Sequence, residues 1–310
     1  MIPLPRPQRP SPRDILFGVG AAQLAGGILL GLAKALVPGS PYFAASALVV
    51  IPLLMGFAHA LAWRRTAFPV STLVAWSLVD TLLACALAWA AIHEGVICLL
   101  MAFPLLWSFL LLGLLLGRVL LDIRKPRGLR VAVAPALLGL LVVDGMNPHS
   151  LRRTVVTESA PIAARPDEVW KHVVAFGEIP GPSDYWLCRF GLPAPQVVRA
   201  EAERVGARRD CVFTGNLVFG ERITVCEPGK RLRFDIVSQP RDPEILGHAD
   251  VLRGEMTLRA NPDGTTTILG RSEYALHVFP APYFDLWAQA IGHGVHERVF
   301  AHIATLSERR

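Results

Sequence analysis

The sequence predicts a multi-span α-helical membrane domain followed by a water-soluble α+β domain. Apolar stretches long enough to be spanning helices succeed one another as far as about Asn147 and then cease. Beyond that point short stretches of period-two alternation are separated by turn residues, and the chain closes on a long run with helical spacing. Charge divides at the same place. Met1–Ser150 holds 11 Lys and Arg against 5 Asp and Glu, and the remainder 20 against 20, so the whole formal charge of +6 sits among the apolar stretches. Basic residues between spans follow from the positive-inside rule, so this excess points to a lipid bilayer as partner and not to nucleic acid.

Five stretches are readable: Ile15–Val37, Phe43–Trp63, Ser71–Ile92, Val96–Leu121 and Val131–Val143. The first four meet the roughly 20 residues that about 30 Å of hydrocarbon requires. The fifth is short and contains Pro135, and it crosses only if flanking residues such as Gly128, Leu129 and Met146 extend it in a thin bilayer. Residues 15–146 are therefore read as four or five helices. Met1–Asp14 is rich in Pro and Arg and lacks a small-residue cleavage site, which predicts that the first span is retained.

Arg6, Arg9 and Arg13 precede the first span, Arg64 and Arg65 follow the second, and Arg118, Arg124, Lys125, Arg127 and Arg130 follow the fourth. The loops around 38–42 and 93–95 carry no Lys or Arg. This alternation predicts an integral protein of a bacterial inner (plasma) membrane with a cytoplasmic N-terminus. A crossing fifth segment, which its hydropathy favours, places the second domain on the exoplasmic side. Arg152 and Arg153 just after it pull the other way, toward an interfacial segment and a cytoplasmic domain.

Asp80 lies near the middle of the third span, where an unpaired charge costs several kcal/mol, so it must face other helices. Two readings stand: a proton or ion site, shared with His59, or a neutral or hydrogen-bonded carboxyl that fixes helix packing. The second is favoured, because the spans hold no second acid and no broken-helix pair. Lys34 can snorkel from its helix end. Gly18, Gly20, Gly26, Gly27 and Gly31 allow close packing of the first helix. Of five cysteines, Cys85 and Cys98 lie in spans; Cys188, Cys211 and Cys226 are an odd number without metal-ligand spacing, which predicts free thiols.

The second domain opens on a strand, RRTVVTESAPIAA, and Pro166, Asp167 and Glu168 then start a helix running through VWKHVVAF. Pro180, Gly181 and Pro182 limit the next segment to a short helix at most. Strands are predicted at Gln196–Val205, Ala207–Gly215, Phe219–Cys226, Arg231–Val237, Val251–Arg259 and Thr265–His277, with turns at Glu227–Lys230 and Asn261–Gly264. After Pro280-Ala281-Pro282, the spacing of Phe284, Trp287, Ile291, Val295, Val299, Ile303 and Leu306 predicts one amphipathic helix of about seven turns.

That order, with the phrases APIAARPDEVWKHVVAF, FGERITVCEPGKRLRFDI and NPDGTTTILGRSEYALHVFPAPYFDLWAQAIGHGVHERVFAHI, resembles the START, polyketide cyclase and birch-pollen-allergen superfamily, often called SRPBCC. The likeness covers about residues 152–310 and is greatest to the membrane-anchored members. It implies a helix-grip domain, a curved antiparallel sheet around the C-terminal helix, with a cavity for a hydrophobic small molecule or lipid. It implies no cofactor.

Strand alternation predicts which residues face such a cavity. Phe219, Glu221, Ile223 and Val225 share one face of their strand, and Ile268, Ser272, Tyr274 and Leu276 share one face of theirs, with Arg271 and Glu273 in solvent. Phe213, Leu232 and Phe234 complete an apolar wall, and Trp287 and His296 border it from the helix. Glu221 is the best catalytic candidate: a buried carboxyl has a raised pKa and can act as acid or base. Its alternative is a register slip or a salt bridge, with Arg222 or Arg271 near a strand end. His293 and His296 are three apart beside Glu297, but neither HEXXH nor any further ligand set completes a metal site, and none is predicted. Arg152, Arg153, Lys171 and Arg189 are candidate headgroup contacts, although scattered basic residues are usually solvated surface. The function read from these residues is a membrane-tethered binding module for an apolar molecule. The alternatives are an enzyme of cyclase or dehydratase type using Glu221, Tyr274 or His296, and a membrane sensor.

Overall fold

A computed structural model describes residues 11–36, 46–66, 68–121, 152–240, 242 and 248–308. The predicted fifth span lies outside the described residues, as do the side chains of Lys34 and Arg152. The chain divides into two compact units, Met1–His149 and Ser150–Arg310.

In the first unit the helices are α1 (Pro12–Leu36), α2 (Ile51–Ala62), α3 (Val70–Ile92) and α4 (Val96–Leu120). Three of them, α1, α3 and α4, are long and apolar enough to cross a membrane. The predicted second span is built differently: a π-helical turn, Ser46–Val50, runs into the 12-residue α2. Pro52 explains the change, because it has no N–H to give the carbonyl one turn back and the backbone widens there.

Glycine sets the helix packing, but largely not the glycines predicted. A Cβ on Gly18 or Gly26 would strike Trp63 or Met55, whereas Gly20, Gly27 and Gly31 have nothing within 4 Å. The tightest approach is between α2 and α4. A Cβ on Gly56 would lie 2.0 Å from the Leu110 carbonyl oxygen, and one on Gly113 would lie 2.0 Å from that of Leu53. Backbone meets backbone there, as small residues four apart permit.

The second unit runs β1 (Arg152–Ile162), α5 (Pro166–Trp170), β2 (Pro195–Ala200), β3 (Arg208–Phe213), β4 (Leu217–Glu227), β5 (Arg231–Ser238), β6 (Ala249–Ala260), β7 (Thr266–Leu276) and α6 (Ala281–Glu308). The strands form one antiparallel sheet in the order β1-β7-β6-β5-β4-β3-β2, curled into a half-barrel along which α6 lies. This is the helix-grip fold. The Asn261–Gly264 turn joins β6 to β7: Asn261 Nδ2 donates to Thr265 Oγ1 at 2.9 Å, and Gly264 takes φ +83°, a backbone state that L side chains resist.

The core lies between the inner sheet face, α5 and the C-terminal half of α6. Ile223, Leu232, Phe234, Met256, Leu258 and Ile268 come from the strands, Val169 and Trp170 from α5, and Val299, Phe300 and Ile303 from α6. Phe300 sits where Gly270 leaves room, since a Cβ there would stand 2.4 Å from the ring.

Two expectations are corrected. The helix from Pro166 stops at Trp170 instead of continuing through Phe176. Phe176 exchanges backbone hydrogen bonds with Val198 of β2, so its N–H is not available to extend the helix, and Arg209 Nε takes the Val174 oxygen at 2.9 Å. Alternation along β4 also breaks. A bulge between Ile223 and Val225 places Val225 opposite Arg233, so Cys226, not Val225, packs against the core.

Candidate functional site

The part of α6 before Val299 lies over β1 and β7, and two polar pairs join it to β7. Ser272 Oγ is 2.8 Å from His296 Nε2, and the Tyr274 hydroxyl donates to Asp285 Oδ1 at 2.7 Å. Both strand residues are on the face that alternation predicts, since Gly270 between them and Ile268 turns the same way, under Phe300. On β1 the same face carries Val156, against Gly292, and Glu158, which pairs with His293 of α6. His293 and His296 therefore turn to different partners.

Burial and neighbours decide the protonation of these groups. Burial, helped by the nearby His293, pulls His296 down to about 4, so its imidazole is neutral at neutral pH. Burial and then Asp285 push the Tyr274 phenol up, which keeps its proton in place. Glu158 is held below the usual carboxylate range chiefly by its hydrogen bond from His293. Ser272, Tyr274 and the neutral His296 thus put uncharged hydrogen-bonding groups on this face, beside the Glu158 carboxylate.

The aromatic candidates divide among three places. Phe213 and Phe219 meet at a centroid distance of 5.0 Å on β3 and β4. Trp287 of α6 lies 6.5 Å from Trp186, which is itself exposed, as are Phe190, Phe279 and Leu286. Phe234 belongs to the core, against Gly254 and beneath Arg209. A shallow surface depression lies where Tyr185, Cys188, Leu192 and Pro195 meet Gly294 and Val295 of α6.

Glu221 is buried, as read, but its partner is Arg209, not Arg222 or Arg271. Arg209 stands directly opposite Glu221 in the β3–β4 register and points to the same inner face. Its guanidinium also lies 4.5 Å from the centre of the Phe234 ring. Arg222 instead reaches the Gly206 carbonyl, and Arg271 pairs with Glu273 on the outer face. Burial pushes the Glu221 carboxyl up and the guanidinium opposes that push. Two strands separate this pair from Ser272 and His296, and the two groups make separate hydrogen-bonded units.

The polyketide cyclase / dehydrase and lipid transport family model matches residues 153–308, which is half of the chain. The chain belongs to that family. Its fold and the family together fit a hydrophobic-ligand-binding domain. Among solved structures it is similar to truncated norcoclaurine synthase from Thalictrum flavum, at 13% identity and a TM-score of 0.37, covering 53% of this chain and 99% of that one. A protein from Nitrosospira multiformis is 18% identical with a TM-score of 0.32, over 49% and 94% of the two chains. One from Mesorhizobium loti is 18% identical at 0.32, over 49% and 96%. No curated protein matches.

Reading this family member from its sequence misses Arg209, Asp285 and Gln23. Arg209 had a signal, because it alternates with Cys211 and Phe213 on an otherwise apolar strand face. Asp285 is one polar residue among several in the first turns of α6, and only the fold brings it to Tyr274. Gln23 of α1 donates to Asp80 from 57 positions away. Of the headgroup candidates, Arg153 and Arg189 are exposed and Lys171 pairs with Glu168.

Proposed function

We propose that this protein is a membrane-tethered binding module for a lipid or other apolar small molecule carrying a hydrogen-bonding oxygen, held between the part of α6 before Val299 and the inner sheet face. The observation that carries this reading is the pairing of polar groups between helix and sheet, Ser272–His296 and Tyr274–Asp285, with an exposed apolar fringe at Trp186, Phe190, Phe279 and Leu286. Apolar walls with a few polar groups suit such a ligand. Entry is by displacement of the part of α6 before Val299, because the rest is fastened into the core by Phe300 and Ile303. A tether keeps the mouth close to a ligand that partitions into the bilayer and raises its effective concentration.

Binding is preferred to catalysis on two grounds. The Glu221 carboxylate is neutralised by Arg209, and His296 Nδ1 is buried with no hydrogen-bond partner, so no third group orients the ring as a catalytic base requires. The test is to purify the full chain and compare extracted lipids with those of the host membrane by mass spectrometry. Enrichment of one defined apolar species, reduced several-fold by Tyr274→Phe or Ser272→Ala, is expected. Conversion of that species to a product would replace this reading with the enzymatic one, and no enrichment would end it. On the positive-inside pattern the N-terminus is cytoplasmic, and residues 131–146 set the side of the domain. Labelling of Cys188 in intact cells by an impermeant thiol reagent would place the domain outside; protection until lysis would place it in the cytoplasm.

A further inference from the structure

An anchor needs no ionisable side chain in its interior, and placing one there costs several kcal/mol. Yet three helices of the first unit each send a polar group to one point: Gln23 from α1, His59 from α2 and Asp80 from α3. His59 and Asp80 are fully shielded from solvent. His59 Nδ1 lies 2.6 Å from Asp80 Oδ2, a distance at which two bare lone pairs would repel, so a proton lies between them. Gln23 Nε2 donates to the other carboxylate oxygen at 3.1 Å and to the Asp80 carbonyl at 2.9 Å. The His59–Asp80 contact is bent and satisfies neither atom fully, and His59 Nε2 has no hydrogen-bond partner.

Counting protons shows why this cluster is not locked. When the pair holds its extra proton its net charge is zero, whether the form is imidazolium with carboxylate or imidazole with carboxylic acid. In both forms Nε2 carries a hydrogen with no acceptor, a buried unsatisfied donor. When the proton leaves, the remaining ring proton sits on Nδ1 and Nε2 is a bare lone pair, but the pair then has a buried negative charge supported only by Gln23 and Nδ1–H. Each state keeps one uncompensated feature, and gain or loss of one proton exchanges the two.

Surrounding charges do not decide the balance. On α1, Asp14 is held by Ser11 and Arg13 is exposed; at the end of α2, Arg64 and Arg65 are exposed. On α4, Arg118 donates to the carbonyls of Trp63 and Thr66. Ser77, one turn before Asp80, is neutral and accepts from Trp107. The Trp63 ring covers His59 at 3.8 Å.

We propose that Gln23, His59 and Asp80 form a proton-binding site of the membrane unit, which takes up and releases one proton between the imidazole and the carboxyl. This does not depend on the ligand assigned to the second unit. The test uses the full chain in lipid nanodiscs, with infrared difference spectra recorded from about pH 5 to about pH 9, the proton being the only ligand varied. A protonated-carboxyl band that disappears reversibly as pH rises, and is missing in Asp80→Asn, is expected. Gln23→Met leaves the pair intact but removes a donor to the carboxyl, and it is expected to move that band to higher frequency. Should Asp80→Asn fail to fold, the band that moves in Gln23→Met identifies the site. An Asp80 carboxyl fixed in one form across the range, or no titrating band that responds to Gln23→Met, would overturn the proposal.

Discussion

Arg209, with 2% of its side chain exposed, binds the Glu221 carboxylate, the Val174 carbonyl and the Phe234 ring at once. Removing one member of a buried pair strands the other charge, which costs about 3–5 kcal/mol, whereas replacing both with apolar side chains is often near neutral. Glu221→Ala is therefore expected to lose about that much in denaturant unfolding, and the double variant Arg209→Met, Glu221→Leu clearly less. Equal losses would deny the pair its role. His296 gives a pH dependence of definite sign. Its folded value, about 4, lies below the ordinary 6.5, so the unfolded chain binds more protons between these values. Stability from this residue is full above about pH 6.5 and declines as pH falls toward 4, on the order of 3 kcal/mol in all. Thermal melts of the full chain between those pH values, followed by near-ultraviolet dichroism, should show the decline, and His296→Gln should flatten it.

At the level of elements, the order of strands and the terminal helix were legible because each is a local pattern: alternation, turn residues, helical spacing. The length of the α5 helix was not, because the Phe176 N–H is taken by the carbonyl of Val198, more than twenty positions later. Nor was the β4 bulge, which reverses Val225 and Cys226 without any glycine or proline between Ile223 and Val225 to mark it. The site divides in the same way. Ser272, Tyr274 and Glu221 could be placed on a face by period alone, but their partners His296, Asp285 and Arg209 depend on which elements meet. Helix packing in the first unit follows this rule too, since Gly113 and Gly20 look alike in sequence and differ in what stands opposite. Gly113→Val is expected to destabilise the α2–α4 crossing by about 1–3 kcal/mol or more in mixed-micelle unfolding, and Gly20→Ala to leave it unchanged. In the second unit, Phe300→Ala should cost about 3–5 kcal/mol, as loss of a buried aromatic does.

For the whole molecule, the division into Met1–His149 and Ser150–Arg310 sets a further expectation. The core beneath α6 draws only on residues after Ser150, so that fragment alone should fold and unfold in one cooperative transition by circular dichroism. A molten fragment without near-ultraviolet signal would show that it needs the first unit. The register of β1 carries one more consequence. In sheet order β1 is an outer strand whose neighbour is β7, and paired residues such as Ile162 and Thr266 are more than 100 positions apart. At about 5–20 residues per second, a ribosome leaves β1 unpaired for roughly 5–25 s after it is made. Through that interval the first strand of the nascent domain waits with its hydrogen bonds open. Faults in biogenesis should therefore arise at β1 before anywhere else in the sheet.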